Sequence, residues 1–425
     1  MPLDRLDTNP VLGNRKLKLG TFQTNLDSGC CMSGLEGRLA ITWPNTVALA
    51  KLADEMDFEA IVPVARWRGF GGATNPQGPG FEAYTWAAGI AASTAKSGVV
   101  STSHVSLNHP LMAAKQCAAI DHISNGRFML NIVCGWNGPE MDMFGVPLTP
   151  HEDRYACAQE WFDIVTRLWT EDEEFDHEGR FYQIKKGYLQ PKPIQKPRPP
   201  IMNAGASERG RHFAVRNCDI VFTLIRTHDY DVNAAHVAAY HKLAREEYGR
   251  SIKVWTHACV VQGETEKEAR DFYDYYVHLK GDWEAARNVI AAMAAEINER
   301  NYPPERHKAI AEMFIAGWGG HPLIGTKEQI VEKTRRPLAH GHGRRAAVVA
   351  AFRSWHARVP RLDAAAGQAG GAARCGGLER ERSGSTAIGK IKGVNTGQVP
   401  HVPHSAATFR RSPRTSGSGR LLPRA

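Results

Sequence analysis

The sequence lacks any apolar run near the roughly 20 residues that would cross a bilayer. Met1 to Asn14 has no basic start followed by an apolar stretch, so neither a membrane span nor a secretory signal is expected, and the reading is cytoplasmic. A CxxC pair is also missing. The eight cysteines, Cys30, Cys31, Cys117, Cys134, Cys157, Cys218, Cys259 and Cys375, are scattered, with no histidines at zinc-ligand spacing. That speaks against a disulfide framework and a metal site, and leaves most of them as small buried hydrophobes. No GxGxxG follows the first β-like run, which weakens a dinucleotide-binding fold.

Acidic residues are scarce at one end only. Residues 334–425 hold 17 Lys and Arg against 3 Asp and Glu, a balance of +14, which leaves residues 1–333 with 36 basic and 41 acidic residues, a balance of −5. The net charge of +9 therefore belongs to the last segment and gives no reason to expect nucleic acid on the body. A basic tail that binds DNA is the weaker alternative, because its arginines lack aromatic interleaving.

What is present is a soluble-protein composition, 42% hydrophobic and 23% charged over 425 residues. From Lys18 onward, short β-rich runs alternate with amphipathic stretches. The runs are Leu19–Thr24, Ala60–Arg66, Val99–His104, Phe128–Cys134, Ile201–Ala204, Ile220–Leu224 and Val254–Val261. Helical patterns fall at Val47–Met56, Met112–Ile123, Tyr155–Trp169, Arg209–Arg216 and Val232–Tyr248. Strands apolar on both faces and separated by helices form a parallel sheet covered by helices. Seven such runs favour an α/β fold of the TIM (β/α)8 barrel type with insertions.

Residues 1–17 read as an N-terminal extension and 18–333 as the barrel domain. A mostly helical insertion spans Asp282 to Pro322, before a loop at Leu323–Thr326 that enters a helix. The eighth βα unit is in doubt, since Ala346–Phe352 is the only β-like run after Arg335. Residues 334–425 have the composition of a disordered basic tail, and also of a GC-rich gene read out of frame, so a frameshift near Lys333 is one expectation and an inactive truncated barrel is its consequence.

In such barrels function sits at the C-terminal ends of the strands. Asn131 is an amide inside an apolar strand, and a buried amide needs partners such as the polar edge of a flavin ring. Arg154 opens a helix and can grip a phosphate in a bidentate manner. Ser207, in Asn203-Ala204-Gly205-Ala206-Ser207-Glu208-Arg209-Gly210, starts another helix, where backbone N–H groups form a phosphate cradle. The turn Arg66-Trp67-Arg68-Gly69-Phe70-Gly71-Gly72 provides glycines that permit close approach to a ligand.

Together, RGFGG, GRFMLNIVCGWNGPE, HEDRYACAQEWFDIVTRLWTED, QPKP and MNAGASERG resemble the luciferase-like flavin monooxygenases over residues 18–333, in particular the pyrimidine, dimethylsulfone and alkanesulfonate monooxygenase branch. The resemblance implies FMN contacts from Ala65, Arg66, Asn131, Glu140, Arg154, Tyr155 and Ser207. It implies reduced FMN delivered by a separate NAD(P)H-dependent flavin reductase, oxygen as co-substrate, a pyrimidine or organosulfur substrate, and a homo-oligomer. A deazaflavin-dependent oxidoreductase of the same fold is the alternative enzyme. On the substrate side His104 and Asn108 are the first choices for catalysis, ahead of His109, Trp136, Arg226 and His228.

Overall fold

A computed structural model of the chain describes residues 3–15, 17–224, 230–294, 304–339 and 346–354. Eight parallel strands form a closed ring: β1 (Lys18–Phe22), β2 (Ala60–Val62), β3 (Gly98–His104), β4 (Phe128–Val133), β5 (Ile201–Asn203), β6 (Ile220–Phe222), β7 (Lys253–Gln262) and β8 (Ala346–Ser354). Closure comes from two ladders. Ile220–Phe222 pairs with Lys253–Trp255, and β8 pairs with β7 along Val254–Gln262 and with β1 at Lys18–Gly20.

The eighth strand, doubtful in the sequence, is therefore present, and its β-like run extends to Ser354. Of the segment read as a basic tail, residues 334–339 and 346–354 are described, the latter as β8, while residues 340–345 and 355–425, with any helix that follows β8, lie outside the described residues. So do Arg226 and His228.

Helices cover the ring: α1 (Trp43–Glu55), α2 (Ala83–Ser93), α3 (Pro110–Ile123), α4 (His151–Thr170), α5 (Glu208–Asn217), α6 (Tyr230–Tyr248) and α7 (Glu266–Asp274). Their starts follow capping chemistry. Thr42 accepts from the Asn45 N–H with Pro44 in the first turn, and His109 accepts from the Leu111 N–H ahead of Pro110. No helix among the described residues is long and apolar enough to cross a membrane.

Strand alternation sorts the core into two layers. Ile61, Val99, Phe128, Leu130 and Ile132 face outward onto the helices and pack with Trp86, Trp161 and Trp169. Val62, Val100, Met129, Met202, Ile220, Phe222 and Trp255 face inward and fill the barrel.

The insertion contains α8 (Trp283–Ala294) and α9 (Pro304–Gly317), as the sequence led one to expect. The segment after it, read as a loop, is instead a strand, His321–Gly325, paired with Ala258–Gln262 beyond the point where β6 stops. Only five residues long and carrying Pro322, it gives a weak β signal in the sequence. α10 (Lys327–Ala339) follows and runs past residue 333. A groove of ≈ 500 Å³ lies by the N-terminal ends of the strands, lined by Leu3, Asp4, Arg5, Leu6, Lys196 and Pro197. It is remote from the strand ends that carry chemistry in this fold.

Candidate functional site

Asn131 points into the barrel mouth from β4, on the same face as Met129. Its Nδ2 donates to Thr102 Oγ1 at 3.2 Å, and that hydroxyl donates to the Pro63 carbonyl at 2.9 Å. Asn131 Oδ1 is buried without a partner among the described residues. An unmet buried acceptor costs about 1–3 kcal/mol, so a ligand N–H there would be stabilising. His104, at the end of β3, is 3% exposed and its Nδ1 is likewise unpartnered. Burial lowers its pKa to about 4, with Arg66 adding to the effect and Glu140 opposing it, so the imidazole is neutral at ordinary pH.

The β5-to-α5 turn is built for close approach. Asn203 Nδ2 donates to the Ile132 carbonyl at 2.7 Å and Asn203 Oδ1 accepts from the Gly205 N–H at 2.8 Å, which pins the turn to β4. Ser207 caps α5, its Oγ accepting from the Gly210 N–H at 3.1 Å. A Cβ on Gly205 would lie 2.4 Å from the Gly210 carbonyl oxygen, and a Cβ on Gly210 would lie 2.4 Å from the Tyr155 hydroxyl. The hydroxyls of Ser207 and Tyr155 therefore converge on the first turn of α5, whose free N–H groups and positive dipole end suit an anion. Arg154, beside Tyr155, donates from Nη1 to the Gly135 carbonyl. This donor set, on the same rim as Asn131, would suit a phosphate, and its chemistry fits a flavin mononucleotide.

Arg66 and Glu140 are placed differently from simple ligand-binding groups. Arg66 Nη1 meets Glu140 Oε2 at 3.0 Å with side-chain exposures of 1% and 0%. Arg66 Nε donates to Gln77 at 3.1 Å, while Glu140 Oε1 accepts from the Trp67 and Arg68 N–H groups at 2.7 and 3.2 Å. Phe70, Trp136 and Trp318 surround the guanidinium at 4.8, 5.2 and 5.6 Å. Glu140 thus shapes the wall next to Ala65, which is itself buried.

Asn108 spends its Nδ2 on the His104 carbonyl at 3.0 Å, while its own carbonyl accepts from Trp161 Nε1 at 2.8 Å, so it secures the turn beneath His104. Gly71 and Gly72, with φ of +67° and +72°, approach the insertion: a Cβ on Gly72 would fall 2.3 Å from Asp282 Oδ1, and Thr74 donates twice to Asp282 Oδ2. Asn288 Nδ2 donates to the Phe70 carbonyl at 2.8 Å. The glycine-rich turn therefore docks the insertion over the mouth.

One inward polar residue was missed. His257, on β7, is fully buried with both ring nitrogens unpartnered, and burial lowers its pKa to about 3. The signal that found Asn131, a polar residue within an apolar strand, was present for His257 too.

Residues 27–344 match the luciferase-like monooxygenase family. The FMNH2-dependent dimethylsulfone monooxygenase of Pseudomonas putida is 28% identical over 331 residues, covering 75% of this chain and 86% of that protein. The pyrimidine monooxygenase RutA of Serratia proteamaculans is 28% identical over 264 residues, covering 61% of this chain and 71% of that protein. Among solved structures, long-chain alkane monooxygenase LadA is similar in fold, with a TM-score of 0.67 at 19% identity, covering 79% of this chain and 87% of that one.

Proposed function

Since the chain belongs to the luciferase-like monooxygenase family and is a flavin-dependent monooxygenase, we propose that it takes reduced FMN from a separate NAD(P)H-dependent flavin reductase. With oxygen, it then oxygenates a small pyrimidine or organosulfur compound. The observation that carries the FMN reading is the α5 turn, where Ser207, Tyr155 and the Gly205–Gly210 contact form an anion cradle on the rim that holds the unmet Asn131 carbonyl. The curated relatives, named for FMNH2-dependent dimethylsulfone and for pyrimidine oxygenation, support the cofactor and bound the substrate class.

Bound reduced flavin would supply the electrons for oxygen activation. The chain's share is positioning. Ser207, Tyr155 and Arg154 hold the phosphate, and Asn131 takes a ring N–H. Ala65 with the Arg66–Glu140 pair forms the wall beside the ring. His104, neutral, exchanges a proton with or hydrogen-bonds the substrate, and Asn108 keeps its strand end in place. Phe70, Trp136 and Trp318 exclude water under the insertion.

The test is oxygen consumption with FMN, NADH and an added flavin reductase, followed by product analysis with uracil, dimethyl sulfone and an alkanesulfonate. Product formation from one of these supports the reading. Turnover with a reduced deazaflavin and none with FMN overturns it.

A further inference from the structure

We infer that His257 is a contact for the flavin ring, set in the wall of the barrel mouth opposite Asn131 to hydrogen-bond the ring from that side. The inference rests on the FMN reading above. β7 alternates so that Trp255 joins the inward cluster with Val62, Val100, Met129, Met202 and Phe222, and His257, two residues on, faces the same way. Its ring meets Phe22 edge-on at 5.0 Å, and Phe22 in turn lies 5.6 Å from Phe222, so the imidazole stands among aromatics that floor the mouth.

A buried imidazole with neither nitrogen satisfied is rare in native proteins, because the desolvation of both is then uncompensated. Here the backbone is arranged to keep it. The insertion returns through Trp318 and Gly319, both with positive φ, and brings Gly320 against the ring: a Cβ on Gly320 would sit 2.9 Å from His257 Cε1 and 3.0 Å from Nδ1. Any side chain there would push the imidazole aside.

Other inward side-chain atoms without partners among the described residues include Asn131 Oδ1 on β4, His104 Nδ1 on β3 and, one inward position before His257 on β7, Trp255 Nε1. In a ring of eight strands, β7 lies across from β3 and β4, and such a barrel is only wide enough for its own side chains or one small ligand. A flat three-ring molecule with polar atoms along its edges touches both walls. A neutral imidazole offers one donor and one acceptor, which matches the alternating carbonyl and N–H or N groups of a flavin. A lone substrate of two or three heavy-atom bonds would reach one wall and leave the other unmet.

The experiment compares the full-length chain with His257→Phe, His257→Leu and His257→Gln by apo-protein thermal unfolding and by fluorescence titration with FMN. Removing two unsatisfied nitrogens leaves the better-packed of the Phe and Leu variants melting at or above the parent, while both bind FMN about tenfold more weakly. The Gln variant, which keeps a donor and an acceptor, binds within about threefold of the parent. If Phe and Leu variants bind FMN as the parent does, His257 makes no flavin contact and this inference alone falls. A melting temperature lowered by more than about 5 °C in both apolar variants makes the imidazole structural and also overturns it. Failure of the parent to bind FMN overturns the functional reading itself.

Discussion

The guanidinium of Arg66 and the carboxylate of Glu140, 74 residues apart in sequence, meet at 3.0 Å in a space closed to solvent. Three aromatic rings enclose the cation, and the anion's second oxygen holds two backbone N–H groups of the turn after β2. Removing one partner strands the other. Glu140→Gln is expected to cost about 3–5 kcal/mol, the usual penalty for breaking a buried pair. Urea unfolding measures it, and a loss below about 1 kcal/mol would mean the pair is not as enclosed as the geometry makes it.

Ser207→Ala removes both the α5 cap and a phosphate donor. The cap alone is worth about 1 kcal/mol of stability. A hydrogen bond to a charged phosphate adds about 1.5–3 kcal/mol to binding, so FMN affinity should fall by at least about tenfold. Unchanged affinity by fluorescence titration would move the phosphate away from this turn.

Much of this was legible in the sequence. The seven β runs and the helices at α1 and α3 to α6 fall where periodicity placed them, and Asn131 was found because an amide interrupts an apolar strand. Some strands end earlier than their apolar runs: the β2 ladder stops at Val62, although its run continues to Arg66. Helix α2 escaped notice because Tyr84, Trp86, Ala87, Ile90 and Ala91 are all buried, which leaves little polar face to mark a period. The hairpin of Phe175–Glu178 with Gln183–Gly187 gives no clear β signal in the sequence, because its charged text hides the two anchors Phe175 and Ile184. The Arg66–Glu140 pair is a long-range contact, which no local pattern announces.

Acid should weaken the fold through its buried histidines. His104 and His257 have folded pKa values lowered to about 4 and about 3 from an ordinary 6.5. The unfolded chain therefore binds protons near pH 6.5 that the folded protein refuses. The associated stability is complete above pH 6.5 and is lost as pH falls through 6.5 toward 4 and 3, at up to about 1.4 kcal/mol per pH unit for each histidine. Denaturation midpoints between pH 7 and pH 5 should drop less steeply in a His104→Asn, His257→Asn double variant. Parallel slopes would contradict the assignment.

Strand β8 joins β7 to β1, so a chain stopped after Ala339 exposes two strand edges in place of a closed ring. That truncation is expected to aggregate on expression and to lose cooperative unfolding. A soluble, cooperatively melting product would show that Ala346–Ser354 is dispensable to the barrel.

The central claim, that the rim of β4, β5 and α5 holds a flavin mononucleotide, is tested most directly by equilibrium titration of the full-length chain with FMN beside coenzyme F420. The account predicts saturable one-to-one binding of FMN at least about tenfold tighter than F420, abolished in a variant combining Ser207→Ala with Tyr155→Phe. Tighter binding of F420, or FMN binding untouched by that double substitution, would contradict it.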